Sequence, residues 1–199
     1  LDEARQAETV LGSTGRGGET YIVPAMMNAV LGTKIKIVTG YPGINEITLA
    51  IERGELHGRS GSWANIVQQS PEWVSGKKIN VLAQIGAAKD PELPTVPLIT
   101  DLAANAEERQ LLELVSGFPV FSRAPWLPPG VPADRVDAMR RAFDATLKDP
   151  EVLRVARERN VDISPNTGED VQKLAVAVGA IPPALVARAR DILQLGESN

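Results

Sequence analysis

Cysteine is absent from these 199 residues. That excludes disulfides, thiolate metal sites and cysteine nucleophiles, and it fits an exported bacterial protein. Aromatic residues make up only 4% of the chain, too few for a base-stacking surface. Positive charge is in deficit: 21 Lys and Arg stand against 25 Asp and Glu, a net charge of −4, with a pI of about 5.2. Neither nucleic acid nor an anionic membrane is favoured as a partner. No apolar run approaches the ~18 residues of a membrane span. The sole histidine, His57, has no partners at a helical or hairpin spacing with which to hold a metal, and reads as a structural residue at a strand end. Leu1-Asp2-Glu3-Ala4-Arg5-Gln6 lacks the basic start and apolar centre of a signal peptide and looks like the cut end of something longer. What is present is an apolar content of 43%, enough for a core in one or two domains.

The chain is organised around Val10-Leu11-Gly12-Ser13-Thr14-Gly15-Arg16-Gly17-Gly18-Glu19-Thr20. A short apolar run, Thr9–Leu11, meets a glycine loop, and a long apolar-periodic segment follows. This predicts strand, tight turn and helix N-terminus, the place where an α/β protein puts an anion. Glycines let the backbone come close to a ligand, and first-turn amides with the positive dipole end face the loop. Ser13 and Thr14 add hydroxyls, and Arg16 adds a charge able to grip a carboxylate with two bonds. No Lys follows the glycines, so the loop is not a P-loop. The acidic residue expected ~20 residues beyond a dinucleotide fingerprint is missing as well. The plain alternative is a βα connection that binds nothing.

Farther along, Tyr21–Leu31 is predicted helical, with Pro24 in its first turn and Gly32 as its stop. Lys34–Thr39 is a predicted strand, Gly40-Tyr41-Pro42-Gly43 a turn, Ile44–Arg53 a helix and Glu55–Gly58 a short strand. Arg59-Ser60-Gly61-Ser62-Trp63 opens a helix over Ala64–Gln69, and Lys78–Ile85 is predicted to be a strong strand. This alternation implies parallel strands with helical crossovers, an α/β fold. Prolines exclude regular structure over Asp90–Pro97. Helices are predicted at Ile99–Ala104 and Ala106–Ser116, a strand at Phe118–Ser122, and an extended crossing over Ala124–Pro132. Helices then fill the rest: Ala133–Lys148 with Val136, Met139, Phe143 and Leu147 on one face, a helix capped by Asp149, one opened by Thr167-Gly168-Glu169-Asp170, and Pro182–Leu195.

Several motifs line up in order with one family. Gly12-Ser13-Thr14-Gly15-Arg16-Gly17-Gly18 resembles the glycine loop of the tripartite tricarboxylate transporter receptors, the Bug-type periplasmic solute-binding proteins. Val38-Thr39-Gly40-Tyr41-Pro42-Gly43 is similar to their Val-Pro-Tyr-x-Gly turn, and Ala50-Ile51-Glu52-Arg53-Gly54-Glu55-Leu56 to their helix ending in Gly-x-Val/Leu. Leu93-Pro94-Thr95-Val96-Pro97 resembles their proline segment, and Ala124-Pro125 with Gly130-Val131-Pro132 and Asp149-Pro150 completes the series. Each motif alone is weak, and five in order are fairly specific.

The resemblance implies a periplasmic-binding-protein-like (type II) α/β lobe, with a parallel-rich sheet flanked by helices. A C-terminal helical segment would return to a first lobe that lies outside these residues. Residues 1–117 would form the second lobe and 118–199 the hinge crossing and returning helices, with a signal peptide expected upstream. It further implies a non-catalytic periplasmic receptor for a small organic acid, without cofactor or metal, delivering to the membrane subunits of a tripartite tricarboxylate-type transporter. Apolar faces left by the absent lobe, such as Val136, Met139 and Phe143, invite homodimerisation. The chain departs from the family at Gly18 (usually Ser), at Pro42 (often Lys) and at Arg16 (commonly small or apolar).

The candidate ligand-binding residues are Ser13, Thr14, Gly15, Arg16, Gly17, Gly18, Glu19 and Thr20, then Tyr41, then Ser60, Gly61, Ser62 and Trp63. The second loop follows a strand and opens a helix, so its hydroxyls and amides suit a carboxylate or a bridging water, and Trp63 can wall a pocket. An ordinary Ser N-cap with a core Trp explains the same residues, and Tyr41 can equally cover the sheet edge. The other function class is an enzyme or binding domain using the glycine loop for a phosphorylated or nucleotide ligand. It has no nucleophile–base pair and no phosphate-binding Lys to support it.

Overall fold

A computed structural model describes residues 1–86, 88–117, 124–159, 163 and 165–193. The chain divides into two compact units. One takes Leu1–Ser62, Ile79–Phe118 and Ile181–Asn199; the other takes Trp63–Lys78 and Pro119–Ala180. The segment 63–78 thus groups with the C-terminal helices, and the last helix groups with the glycine loop.

The first unit is built on a βαβ element. Strand β1 (Thr9–Gly12) and strand β2 (Ile35–Val38) run parallel, in register from Thr9↔Ile35 to Gly12↔Val38. Helix α2 (Glu19–Leu31) connects them and ends on Gly32 at φ 68, the left-handed stop expected of glycine. A short helix α1 (Asp2–Gln6) precedes them, and helix α3 (Ile44–Glu52) follows β2. Side chains alternate along β1. Leu11 enters a core with Val23, Met26, Met27 and Leu31 of α2, while Val10 packs on the opposite cluster of Ile47, Ala50 and Leu56. Gly12 is needed for close packing there, because a Cβ would sit 2.6 Å from Leu56 Cδ1 and 2.7 Å from Ile47 Cγ2. Asn28 locks the return of the chain: its amide donates to Ile35 O (2.7 Å) and its carbonyl accepts from Ile35 N and Thr33 Oγ1, both at 2.8 Å.

The predicted strand at Glu55–Gly58 is reduced to one parallel bridge, Leu11↔Gly58. His57 donates its amide to Val10 O (2.8 Å), and its Nδ1 accepts from Val10 N (3.0 Å). The imidazole therefore serves as a backbone acceptor at the strand end. The strong strand expected at Lys78–Ile85 does not form. Among the described residues its only rung is the bridge Gln84↔Leu98, because the facing segment carries Pro94 and Pro97, which have no N–H to donate. Among the described residues the sheet therefore has two strands, fewer than the alternation implied.

Ile99–Leu102 is a 3-10 turn rather than the first of two helices, and helix α6 (Ala106–Ser116) follows, capped by the Asn105 side chain on Glu108 N. Pro24 is also placed differently. Helix α2 starts at Glu19, so Pro24 lies in its second turn, where the carbonyl of Thr20 receives no bond from it.

In the second unit, helices α4 (Trp63–Gln69) and α5 (Pro71–Ser75) accompany α7 (Ala133–Thr146), α8 (Pro150–Glu158) and α9 (Gly168–Gly179). The Asp149 carboxylate accepts from Glu151 N and Val152 N, as its capping role requires. Thr167 Oγ1 accepts from Asp170 N (3.1 Å) and donates to the Asp170 carboxylate (2.7 Å), a side-chain variant of the capping box. The apolar face expected on α7 is open: Met139 is 57% exposed and Phe143 42%. Helix α10 (Pro183–Leu193) belongs to the first unit and buries Leu185 and Leu193 in its core. The strand expected at Phe118–Ser122 lies outside the described residues.

Candidate functional site

The glycine loop leaves β1 at Gly12 and enters α2 at Glu19, so it sits at the C-terminal edge of parallel strands, where open α/β sheets bind ligands. Its shape is set by hydroxyls. Ser13 is fully buried. Its Oγ lies 3.1 Å from Thr20 Oγ1 and accepts from Gly15 N at 3.1 Å. Thr20 Oγ1 accepts from Thr14 N (3.1 Å) and lies 3.3 Å from Thr14 Oγ1. Thr20, buried at the start of α2, is thus the hub that folds Ser13–Gly15 back onto the helix. Ser13 and Thr20 hold the loop from within, whereas Thr14 is exposed.

The backbone fastens the loop on three sides. Ser13 N donates to Val38 O (2.8 Å), Tyr41 N to Ser13 O (3.3 Å) and Gly18 N to Gly15 O (3.2 Å). Gly15 adopts φ +154, a conformation reserved for glycine. A Cβ at Gly15 or Gly17 would meet nothing within 4 Å, so these two glycines border open space. Gly18 is the N-cap of α2, and its carbonyl accepts from Tyr21 and Ile22, both at 3.0 Å. A Cβ there would lie 3.5 Å from Thr14 Oγ1, so the Ser usual in the resembled family would fit, and packing does not force the departure. The Arg16 guanidinium lies 5.8 Å from the centroid of the Tyr21 ring, within cation–π range. Tyr41 is partly buried against the cluster of Ile47, Ala50 and Leu56.

The second loop is tied to the first. Ser60 Oγ donates to Glu19 O at 3.1 Å, joining it to the first residue of α2. Ser60, Gly61 and Ser62 are all half-buried. Trp63 opens α4 and belongs to the other compact unit. Sequence reasoning passed over Arg59, which stands between the bridge at Gly58 and Ser60. Burial pushes its guanidinium below the ordinary arginine value, and the charge of Glu19 acts in the opposite sense. The available signal was position: an arginine immediately after a short predicted strand, at the edge carrying the glycine loop. Among the described residues no three His, Asp or Glu gather as metal ligands.

The fold is similar to that of a TctC solute-binding protein from Polaromonas, solved without ligand, at 16% identity and a TM-score of 0.61 over 98% of this chain and 59% of that one. It is also similar to that of R. palustris Rpa4515 with adipate, at 18% identity and a TM-score of 0.56 over 97% of this chain and 59% of that one. The chain therefore spans 59% of the length of each. No family model and no curated protein sequence matches it. The likeness is one of fold, and it agrees with the periplasmic-binding-protein-like class that the ordered motifs implied, with two parallel strands among the described residues.

Proposed function

We propose that this chain is part of a periplasmic receptor that captures a small organic acid through its carboxylate and hands it to the membrane subunits of a tripartite tricarboxylate-type transporter. The observation that carries this reading is the hydroxyl-braced loop Ser13–Thr20, with Gly15 and Gly17 bordering open space at the sheet edge. Two further points support it. A solute-binding protein shares the fold, and an adipate complex does so as well.

The open side of the loop at Gly15–Gly17, with the exposed Thr14 beside it, faces the anion at the N-terminus of α2, and the receptor binds and releases the solute without transforming it. Residues 1–117 correspond in this proposal to the second lobe of the receptor and 118–199 to the segment returning to a first lobe. Closure of the two lobes on the solute would signal the transporter. Part of the contact set would come from outside these residues, so binding by this chain alone is expected to be weak.

Calorimetric titration with mono- and dicarboxylates, beside AMP and inorganic phosphate, tests the proposal. Saturable carboxylate binding with no turnover of AMP supports it. Uniformly absent carboxylate binding contradicts it, and hydrolysis of the nucleotide would favour the enzyme reading instead.

A further inference from the structure

We infer that Arg59 is the charged group that receives the solute's carboxylate, an assignment that rests on the receptor reading above. Arg59 follows the parallel bridge Leu11↔Gly58. It therefore leaves the sheet at the same edge as Ser13–Gly18, since parallel strands end on one side. The next residue, Ser60, is hydrogen-bonded to Glu19 O, which holds this segment against the start of α2.

The guanidinium carries five N–H donors, yet its one hydrogen bond among the described residues is a long contact from Nη1 to Ser60 O at 3.4 Å. Nε is sealed from solvent without an acceptor, the one buried side-chain nitrogen or oxygen so left among the described residues. Buried donors are nearly always paired, and one left unpaired keeps its desolvation penalty until an acceptor answers it. The same chain shows how a structural arginine is treated. Arg140, also partly buried, is answered by Asp137, by Glu169 at 3.1 Å and by Gly168 O at 3.3 Å. Among the described residues Arg59 has no such carboxylate within ion-pair distance.

The surroundings keep this fork in place. A Cβ at Gly61 would collide with Arg59 Nη1, so glycine there clears the room the guanidinium occupies. The residue as a whole is half-buried, with Nε on its enclosed side. The terminal edge of a planar fork fixed in this way, Nη1 and Nη2, matches a planar carboxylate through two parallel bonds.

The test uses the whole chain and adipate, the solute of one structural neighbour, with 1,6-hexanediol as its uncharged counterpart. The Nε–H signal of Arg59, identified by its loss in Arg59→Lys, is followed by nitrogen–proton NMR. It is expected to shift saturably with adipate and to stay still with hexanediol, and Arg59→Gln is expected to bind adipate about tenfold more weakly. If loop amides respond to adipate while the Arg59 signal stays still and Arg59→Gln binds equally well, the arginine assignment is wrong and the receptor reading stands. If no signal responds to any carboxylate, both fall. Should Arg59→Gln fail to fold, the wild-type titration decides alone.

Discussion

Replacing Gln84 with alanine is expected to destabilise the first unit by about 3 kcal/mol, at roughly 1 kcal/mol for each of three hydrogen bonds lost. Its buried side chain bridges the proline segment from within. Nε2 donates to Leu93 O (2.7 Å) and Val96 O (2.9 Å), and Oε1 accepts from Asp90 N (2.7 Å). The backbone of the same residue forms the rung with Pro97 O and Ile99 N, both at 2.8 Å. Prolines leave this segment few donors of its own, so one glutamine supplies the bonds that a strand neighbour would otherwise make. Urea melts of Gln84→Ala read the effect directly. A shift under about 1 kcal/mol would mean that water replaces the side chain at little cost.

The second large effect is expected at Thr20. Thr20→Val keeps the shape and removes the oxygen that Thr14 N, Ser13 Oγ and Thr14 Oγ1 all approach within 3.3 Å. Because the site is buried, the cost is expected to be about 2–3 kcal/mol. Carboxylate affinity should fall by about tenfold, as the loop loses its preorganised shape. Ser13→Ala removes one of those partners and should have a smaller effect on both readouts. Melts and calorimetry on the two variants check this order. Equal stability of Thr20→Val and wild type would contradict the hub role of Thr20.

The βαβ core was legible because each of its signals is local. A short apolar run sets β1, the glycines set the loop, and Gly32 sets the stop of α2. The helices after residue 130 were legible for the same reason, since Asp149 and Thr167 carry their caps within three residues. Lys78–Ile85 forms no strand because the residues of a segment say nothing of the neighbour it must pair with. Here the neighbour carries two prolines. In the candidate site, the glycine loop was legible as a position but its hydroxyls were not legible as roles: Ser13 and Thr20 brace each other, a fact of burial that spacing does not encode. Arg59 escaped notice because an isolated arginine in sequence looks like a solvated one. Only packing around Gly61 and Ser60 makes it a half-buried donor.

The central claim is that the loop from Ser13 to Thr20, with Arg59–Ser62 beside it, receives a carboxylate. The most direct measurement is a backbone amide NMR titration of the whole chain with adipate against inorganic phosphate. The account predicts that adipate moves the amides of Gly15, Gly17 and Gly18 and of Ser60–Ser62 more than any others, and that phosphate moves them less. Responses scattered over surface lysines, or confined to helices away from this edge, would contradict it.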